Sequence, residues 1–271
     1  MVLDVLTPYV YNVRRKRTAY VRKKKDDEMS KKQLARVAGL LYLVVAITGG
    51  FSELVVRGGV KVAGDAAVTA ENIRASATLF RLGFVSDLVD ITCFMLLGLV
   101  LYVLLSPVNR KVAATFVLMN AIAVAVMGVN MLNHFGVLAV ATDPALRAAL
   151  GAGPADALTS LFLSFHHQGY LIAQIFFGGW LLPLGFVVYK SSYFPRALGI
   201  GLMVGCFAYL AELAGTYVSP TFDSSAVLVL AMPAALAEFS FCLWLLVKGA
   251  NVHGEDGPTP TPVPGHALTA V

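Results

Sequence analysis

Charge is scarce in this chain. Asp, Glu, Lys and Arg make up 14% of the 271 residues, against roughly 25% in a soluble domain. Hydrophobic types reach 58%. A water-soluble fold has no means of hiding that much apolar surface, so lipid has to cover part of it. Cysteine is nearly missing as well. Cys93, Cys206 and Cys242 are the three present, and each falls inside an apolar run. That excludes a disulfide framework or zinc-finger spacing and reads as inert packing. The chain also lacks a glycine-rich phosphate loop, HExxH, GxSxG and CxxCH, which removes the common soluble catalytic classes.

What the chain has in abundance is apolar sequence in long runs. Six can be marked: Leu34–Leu54, Leu82–Leu105, Val112–Ala141, Leu158–Tyr189, Ala197–Val218 and Ala226–Val247. Each reaches the ~20 residues that cross ~30 Å of hydrocarbon. Lys and Arg are absent from the interior of all six. The expected fold class is therefore all-α: a polytopic membrane helix bundle of about six transmembrane helices. Gly178, Gly179 and Pro183 predict a kink in the long fourth run.

The organisation predicted is a basic tail over residues 1–33, a six-helix membrane domain over 34–249 and a disordered proline-rich tail over 250–271. Eleven of the 21 Lys and Arg residues precede Val37. Pairs also stand in the short loops Ser106–Lys111 and Lys190–Arg196, and Lys248 follows the last run. The opposite face holds only Arg57, Lys61, Arg74, Arg81 and Arg147. The positive-inside rule then places both termini in the cytoplasm. The clusters Arg14–Arg17 and Arg22–Lys25 read as contacts for anionic lipid rather than for nucleic acid. Met29 opens a stretch that looks like a natural start.

Two segments on the outer face are more than connectors. Asp65–Phe80 reads as a short amphipathic helix capped by Thr69, with Ile73, Ala77 and Phe80 on one face. The segment Asp143–Asp156 is expected to hold a short helical turn.

Ionisable residues inside a span cost about 2.5–3.5 kcal/mol each and mark the bundle interior. This chain keeps Glu53, Asp87, Asp90, His134, His166, His167, Glu212 and Glu238, with no Lys or Arg beside them. Either some carboxyls are protonated or a cation compensates them: a proton, a metal or a positively charged ligand. Asp87 lies about six residues, or ~9 Å, inside the outer end of its run. Asn130, His134, His166 and Glu212 share that outer zone, and Tyr170 and Gln174 continue the His166 face at i+4 and i+8. Glu238 and Asn120 lie deeper and read as a separate feature. The candidate ligand-binding set is Asp87, Asp90, Asn130, His134, His166, Tyr170, Gln174 and Glu212, for a small cationic or neutral ligand in a transporter, sensor or accessory subunit. The candidate metal set is His134, His166 or His167, and Asp87. Zinc there would make an intramembrane lipid hydrolase. A haem held by His134 and His166 is a third possibility.

Several short motifs carry a family resemblance. Phe80–Gly83 leads into Asp87, Leu101–Asn109 reads LYVLLSPVN, and Gly169-Tyr170 follows the histidine pair. Tyr193–Arg196 precedes Leu198-Gly199, and Glu238–Gly249 reads EFSFCLWLLVKG. The pattern, over roughly Lys31–Gly249, resembles the bacterial membrane family known as domain of unknown function 4386. It implies a multi-pass membrane protein and brings no activity with it.

The orientation is open to a labelling test. A cysteine placed at Gly153 should react with an impermeant maleimide on intact cells. One placed at Ser192 should react only after the cells are opened. The opposite pattern would invert the topology.

Overall fold

A computed structural model describes residues 30–218 and 224–251, without the side chains of 224–228. Residues 1–29 of the basic N-terminal tail, with the start at Met29, and residues 252–271 of the proline-rich C-terminal tail lie outside the described residues. Helix α1 is Lys31–Gly50. It runs straight into a π-helical stretch, Phe51–Arg57, and a last α-turn, Gly58–Val60. Then come α2 (Ala66–Ala75), α3 (Ala77–Leu105), α4 (Arg110–Thr142), α5 (Pro144–Leu150), α6 (Ala152–Gly179), α7 (Leu181–Lys190), α8 (Arg196–Val218) and α9 (Ser224–Val247). Among the described residues there is no strand.

Among the described residues six helices are long and apolar enough to cross a membrane, with α6 and α7 forming one of them. Large apolar side chains cover the outside: Leu54, Val129, Leu132 and Val218 are each at least 68% exposed. In water such a surface would aggregate. The protein is a multi-pass membrane protein.

Local sequence explains where the helices start and stop. Ser30 caps α1 through a capping box with Gln33, so the first span begins ahead of the apolar run. Asn109 caps α4 and Asp143 caps α5. The cap of α2 is Asp65, which accepts from the Val68 amide at 2.9 Å, and not Thr69. Thr69 is buried one turn inside, where its hydroxyl takes up the Val62 carbonyl and amide instead. The amphipathic helix also ends earlier than expected. Ser76 breaks it, and Phe80 belongs to α3. The fourth span is broken at Trp180, between α6 and α7. Pro183 supplies the cause: it has no amide for the Gly179 carbonyl, and its ring crowds that carbonyl.

Two apolar cores fill the bundle. We call the end where α1 begins proximal. The proximal core gathers Ala38, Leu101, Phe116, Trp180, Leu184, Leu202, Phe241 and Leu245. The distal core gathers Val56, Ile73, Phe80, Val137 and Leu163 beneath α2. Outside the spans, Asp156 accepts from both Arg74 (2.9 Å) and Arg147 (2.8 Å), which ties α2 and α5 to the start of α6.

Glycines set the proximal crossings. A Cβ on Gly39 would stand 2.7 Å from the Leu246 amide nitrogen, and one on Gly199 would stand 2.6 Å from the Gly185 carbonyl oxygen. Gly39 and Gly199 hold the same place after a basic residue, in α1 and α8. Gly39→Val should therefore push α1 and α9 apart, costing about 1–3 kcal/mol or more by overpacking. Gly128→Ala meets nothing within 4 Å and should be neutral or stabilising by up to ~1 kcal/mol. Thermal unfolding in detergent checks both.

Candidate functional site

Between the two cores lies a charged layer, and its centre is an arginine. The π-helical winding of Phe51–Arg57 adds a residue to the turn and swings Arg57 inward. Ser52 anchors the segment by donating to the Gly83 carbonyl at 3.0 Å. Gly83 in turn leaves room for Val56, which would stand 2.8 Å from a Cβ there. Arg57 is 8% exposed and Asp87 is 4% exposed. The guanidinium donates Nη1 to Asp87 Oδ2 at 2.6 Å and Nη2 to Oδ1 at 3.4 Å, while its Nε donates to Glu53 Oε2 at 2.7 Å. Sequence reasoning set Arg57 in an outer loop and counted no cation among the spans. The structure corrects this: one guanidinium stands inside the layer.

Asp87 also meets two histidines. His134 Nδ1 lies 3.4 Å from Asp87 Oδ2, and its Nε2 lies 3.2 Å from the Phe80 carbonyl oxygen. Phe80 and Phe84 pack on the His134 ring at 4.4 and 5.5 Å between centroids. The His166 ring meets it edge to face at 5.4 Å. One donor atom each from Asp87, His134 and His166 lies within 4.8 Å of the others. These were three of the residues expected to hold a metal. His167, the alternative to His166, is exposed and takes no part. The direct ring contact also differs from two axial ligands facing each other across a haem.

Asparagines of α4 hold the neighbouring helices in register. Asn130 donates to the His166 carbonyl at 2.8 Å, and Asn133 donates to Asn130 Oδ1 at 3.0 Å. A Cβ on Gly169 would run into the Asn130 amide. Asn120 repeats the device on α3, donating to the Phe94 carbonyl at 2.9 Å with Gly98 making the room. Asn130 and Asn120 are thus helix clasps.

Proximal to Arg57 the layer opens into a cavity of about 620 Å³. Glu53, Asp87, Asp90 and Glu238 line it with Arg57, among the aromatic rings of Tyr42, Phe94, Tyr170, Phe177, Trp180, Tyr209 and Phe239. Tyr42 donates to Glu238 Oε1 at 2.6 Å and Tyr209 to Oε2 at 2.9 Å, so three helices meet at one carboxylate. Thr48 Oγ1 lies 2.7 Å from the Val44 carbonyl oxygen and 3.3 Å from Asp90 Oδ1. Trp180 is fully buried, and its indole N–H has no acceptor among the described residues. From Tyr42 in α1 to Glu53 in the π-helical stretch the cavity follows the chain for eleven residues, or about 16 Å. Glu238 therefore opens on the same space as Asp87 and Asp90, and is not a separate feature.

Two expected site residues stand apart. Gln174 donates to Glu212 Oε2 at 3.1 Å and to the Tyr209 carbonyl at 3.2 Å. Neither Gln174 nor Glu212 lines the cavity. They lie behind Tyr209, which does line it.

The family model described as Domain of unknown function (DUF4386) matches residues 37–249. The chain belongs to that family. An uncharacterized protein of Archaeoglobus fulgidus is 34% identical over 92 residues, which is 34% of this chain and 50% of that relative. The chain thus spans about half the length of the curated relative it matches. No solved structure matches.

The ion pair makes a direct prediction. Arg57→Gln or Asp87→Asn alone leaves its partner buried and uncompensated, which costs about 3–5 kcal/mol. The double variant Arg57→Leu/Asp87→Leu removes both charges and should unfold at a higher temperature in detergent than either single variant.

Proposed function

We propose that this DUF4386 protein binds a small organic cation in the cavity between its two cores. Glu238 carries the reading. Its carboxylate is held by two tyrosine hydroxyls in a chamber walled by aromatic rings. Two of its lone-pair sites are used and two remain. Rings attract cations through their faces, and more strongly where water is scarce. The carboxylates lining the cavity outnumber the single guanidinium by four to one. Inside a membrane that imbalance calls for a proton or a bound positive charge. The volume suits a drug-sized molecule, for which sites run from about 300 to 1,000 Å³.

Binding of this kind is common to a transporter, a sensor and an accessory subunit. A lipid hydrolase would need one of the nearby carboxylates as a general base, and Glu53 already accepts from the permanently charged Arg57. On our reading the protein sits in a prokaryotic plasma membrane with both termini cytoplasmic. Its basic tail then meets anionic lipid.

Equilibrium binding of tetraphenylphosphonium, ethidium and benzyltrimethylammonium to detergent-purified protein tests the proposal. At least one should bind saturably, and tetraphenylborate, an anion of the same shape as the first, should not. Glu238→Gln should weaken the binding at least tenfold, equivalent to about 1.4 kcal/mol. No saturable cation binding, or an unchanged affinity in Glu238→Gln, would overturn it.

A further inference from the structure

The proton positions at His134 pose a problem that the organic-cation reading does not solve. The Phe80 carbonyl can only accept, so the hydrogen bond it forms at 3.2 Å requires the proton on Nε2 of His134. A neutral ring then presents the Nδ1 lone pair to Asp87 Oδ2, 3.4 Å away, where the carboxylate also presents a lone pair. Two acceptors face one another in a site from which solvent is nearly excluded. His134 is 1% exposed and Nδ1 has no hydrogen-bond partner among the described residues. His166 repeats the situation. It is 2% exposed, and its Nε2 is buried without a partner. A positive centre between these atoms would turn every one of these repulsive or unsatisfied groups into a ligand.

The geometry points to a divalent transition-metal ion, of the zinc class, bound by Asp87, His134 Nδ1 and a ring nitrogen of His166. Donors around one tetrahedral zinc stand about 3.3 Å apart. The His134–Asp87 separation of 3.4 Å already has that spacing. One donor atom from each of the three residues lies within 4.8 Å of the others, so the longer edges of the triangle close by a small side-chain movement. Two nitrogens and one carboxylate oxygen make a donor set that zinc accepts, with a fourth position left open. The surroundings are those of a supported site. His134 donates its other nitrogen to a backbone carbonyl, the usual way a ligating imidazole is oriented. Asn130 holds the His166 backbone.

Arg57 is the feature that opposes a cation here, since it stands on the same carboxylate. Glu53 offsets it through the 2.7 Å contact with Nε. A carboxylate has lone-pair sites enough for a guanidinium and a metal together. Asp87 and Arg57 line the cavity while the histidines lie behind them, so the cavity gives the ion its path. The site is distinct from Glu238, and the inference stands whether or not that carboxylate binds an organic cation.

The test uses the full chain, purified in detergent with a tag that carries no histidine. The protein is dialysed against micromolar zinc chloride, freed of excess metal and analysed for zinc per chain. We expect close to one equivalent on wild type, His167→Ala and Glu238→Gln. His134→Ala and His166→Ala should lose at least about tenfold in affinity, the scale on which such sites respond to mutation. X-ray absorption at the zinc edge of the wild type needs no variant to fold. It should show an all nitrogen and oxygen shell at about 2.0–2.2 Å, with the scattering of two imidazoles. Substoichiometric zinc on the wild type would overturn the inference and assign the gap to a proton on Nδ1. So would a sulfur ligand, the absence of imidazole scattering, or a loss in His167→Ala equal to that in His134→Ala. Zinc retained in Glu238→Gln while tetraphenylphosphonium binding is lost would support both sites as separate.

Discussion

Arg57 and Asp87 form the contact on which the rest of the charged layer is arranged. A guanidinium sealed inside a membrane bundle must be answered by a carboxylate, or its desolvation goes uncompensated. Meeting that demand dictates the local backbone. The chain leaves α-helical geometry for seven residues to bring the arginine round, and Ser52 and Gly83 hold the distorted segment against α3. Once Asp87 is committed to Arg57, its position relative to α4 is set, and with it the approach of His134. Glu53 completes the charge balance one turn earlier on the same segment.

The layer exists because two apolar cores, one at each end, are tight enough to stand alone. The proximal core is closed by backbone-to-backbone crossings at Gly39, Gly185 and Gly199. The distal core is roofed by α2, whose Ile73 is fully buried and whose Arg74 is fixed to Asp156. Packing density is therefore spent at the ends. The middle is left to polar side chains and open volume, where α4 uses Asn120 and Asn130 in place of close apolar packing to hold its neighbours.

Much of this could be read from residue order alone, because membrane sequences follow strong rules. Six spans followed from run length, and the break in the fourth span followed from Gly178, Gly179 and Pro183. Depth along helices of known rise put Asp87, His134 and the His166-His167 pair in one zone, but left open which histidine joins the other two. Arg57 could not be read that way. It lies beyond the end of an apolar run, where basic residues normally sit in water, and no pattern of residue types announces a π-helical turn. Glu238 was misplaced for a related reason. Linear depth treats each polar group as level with its neighbours, whereas the cavity extends for about 16 Å along the chain from Tyr42 to Glu53 and joins groups at different levels. The cap at Asp65 was missed because Thr69 and Asp65 are both good caps, and only the fold of the preceding turn, which engages the Thr69 hydroxyl, decides between them.

The break at Trp180 divides one span between two neighbourhoods. Its distal part, α6, lies chiefly along α4, and its proximal part, α7, lies chiefly along α8. The indole sits at the joint, touched by the rings of Tyr42, Phe94 and Phe116 from three other helices, and it forms part of the cavity wall. A guest resting against that indole would press on the elbow of the bundle. Occupancy of the chamber and the angle between its two arms would then be a single mechanical variable.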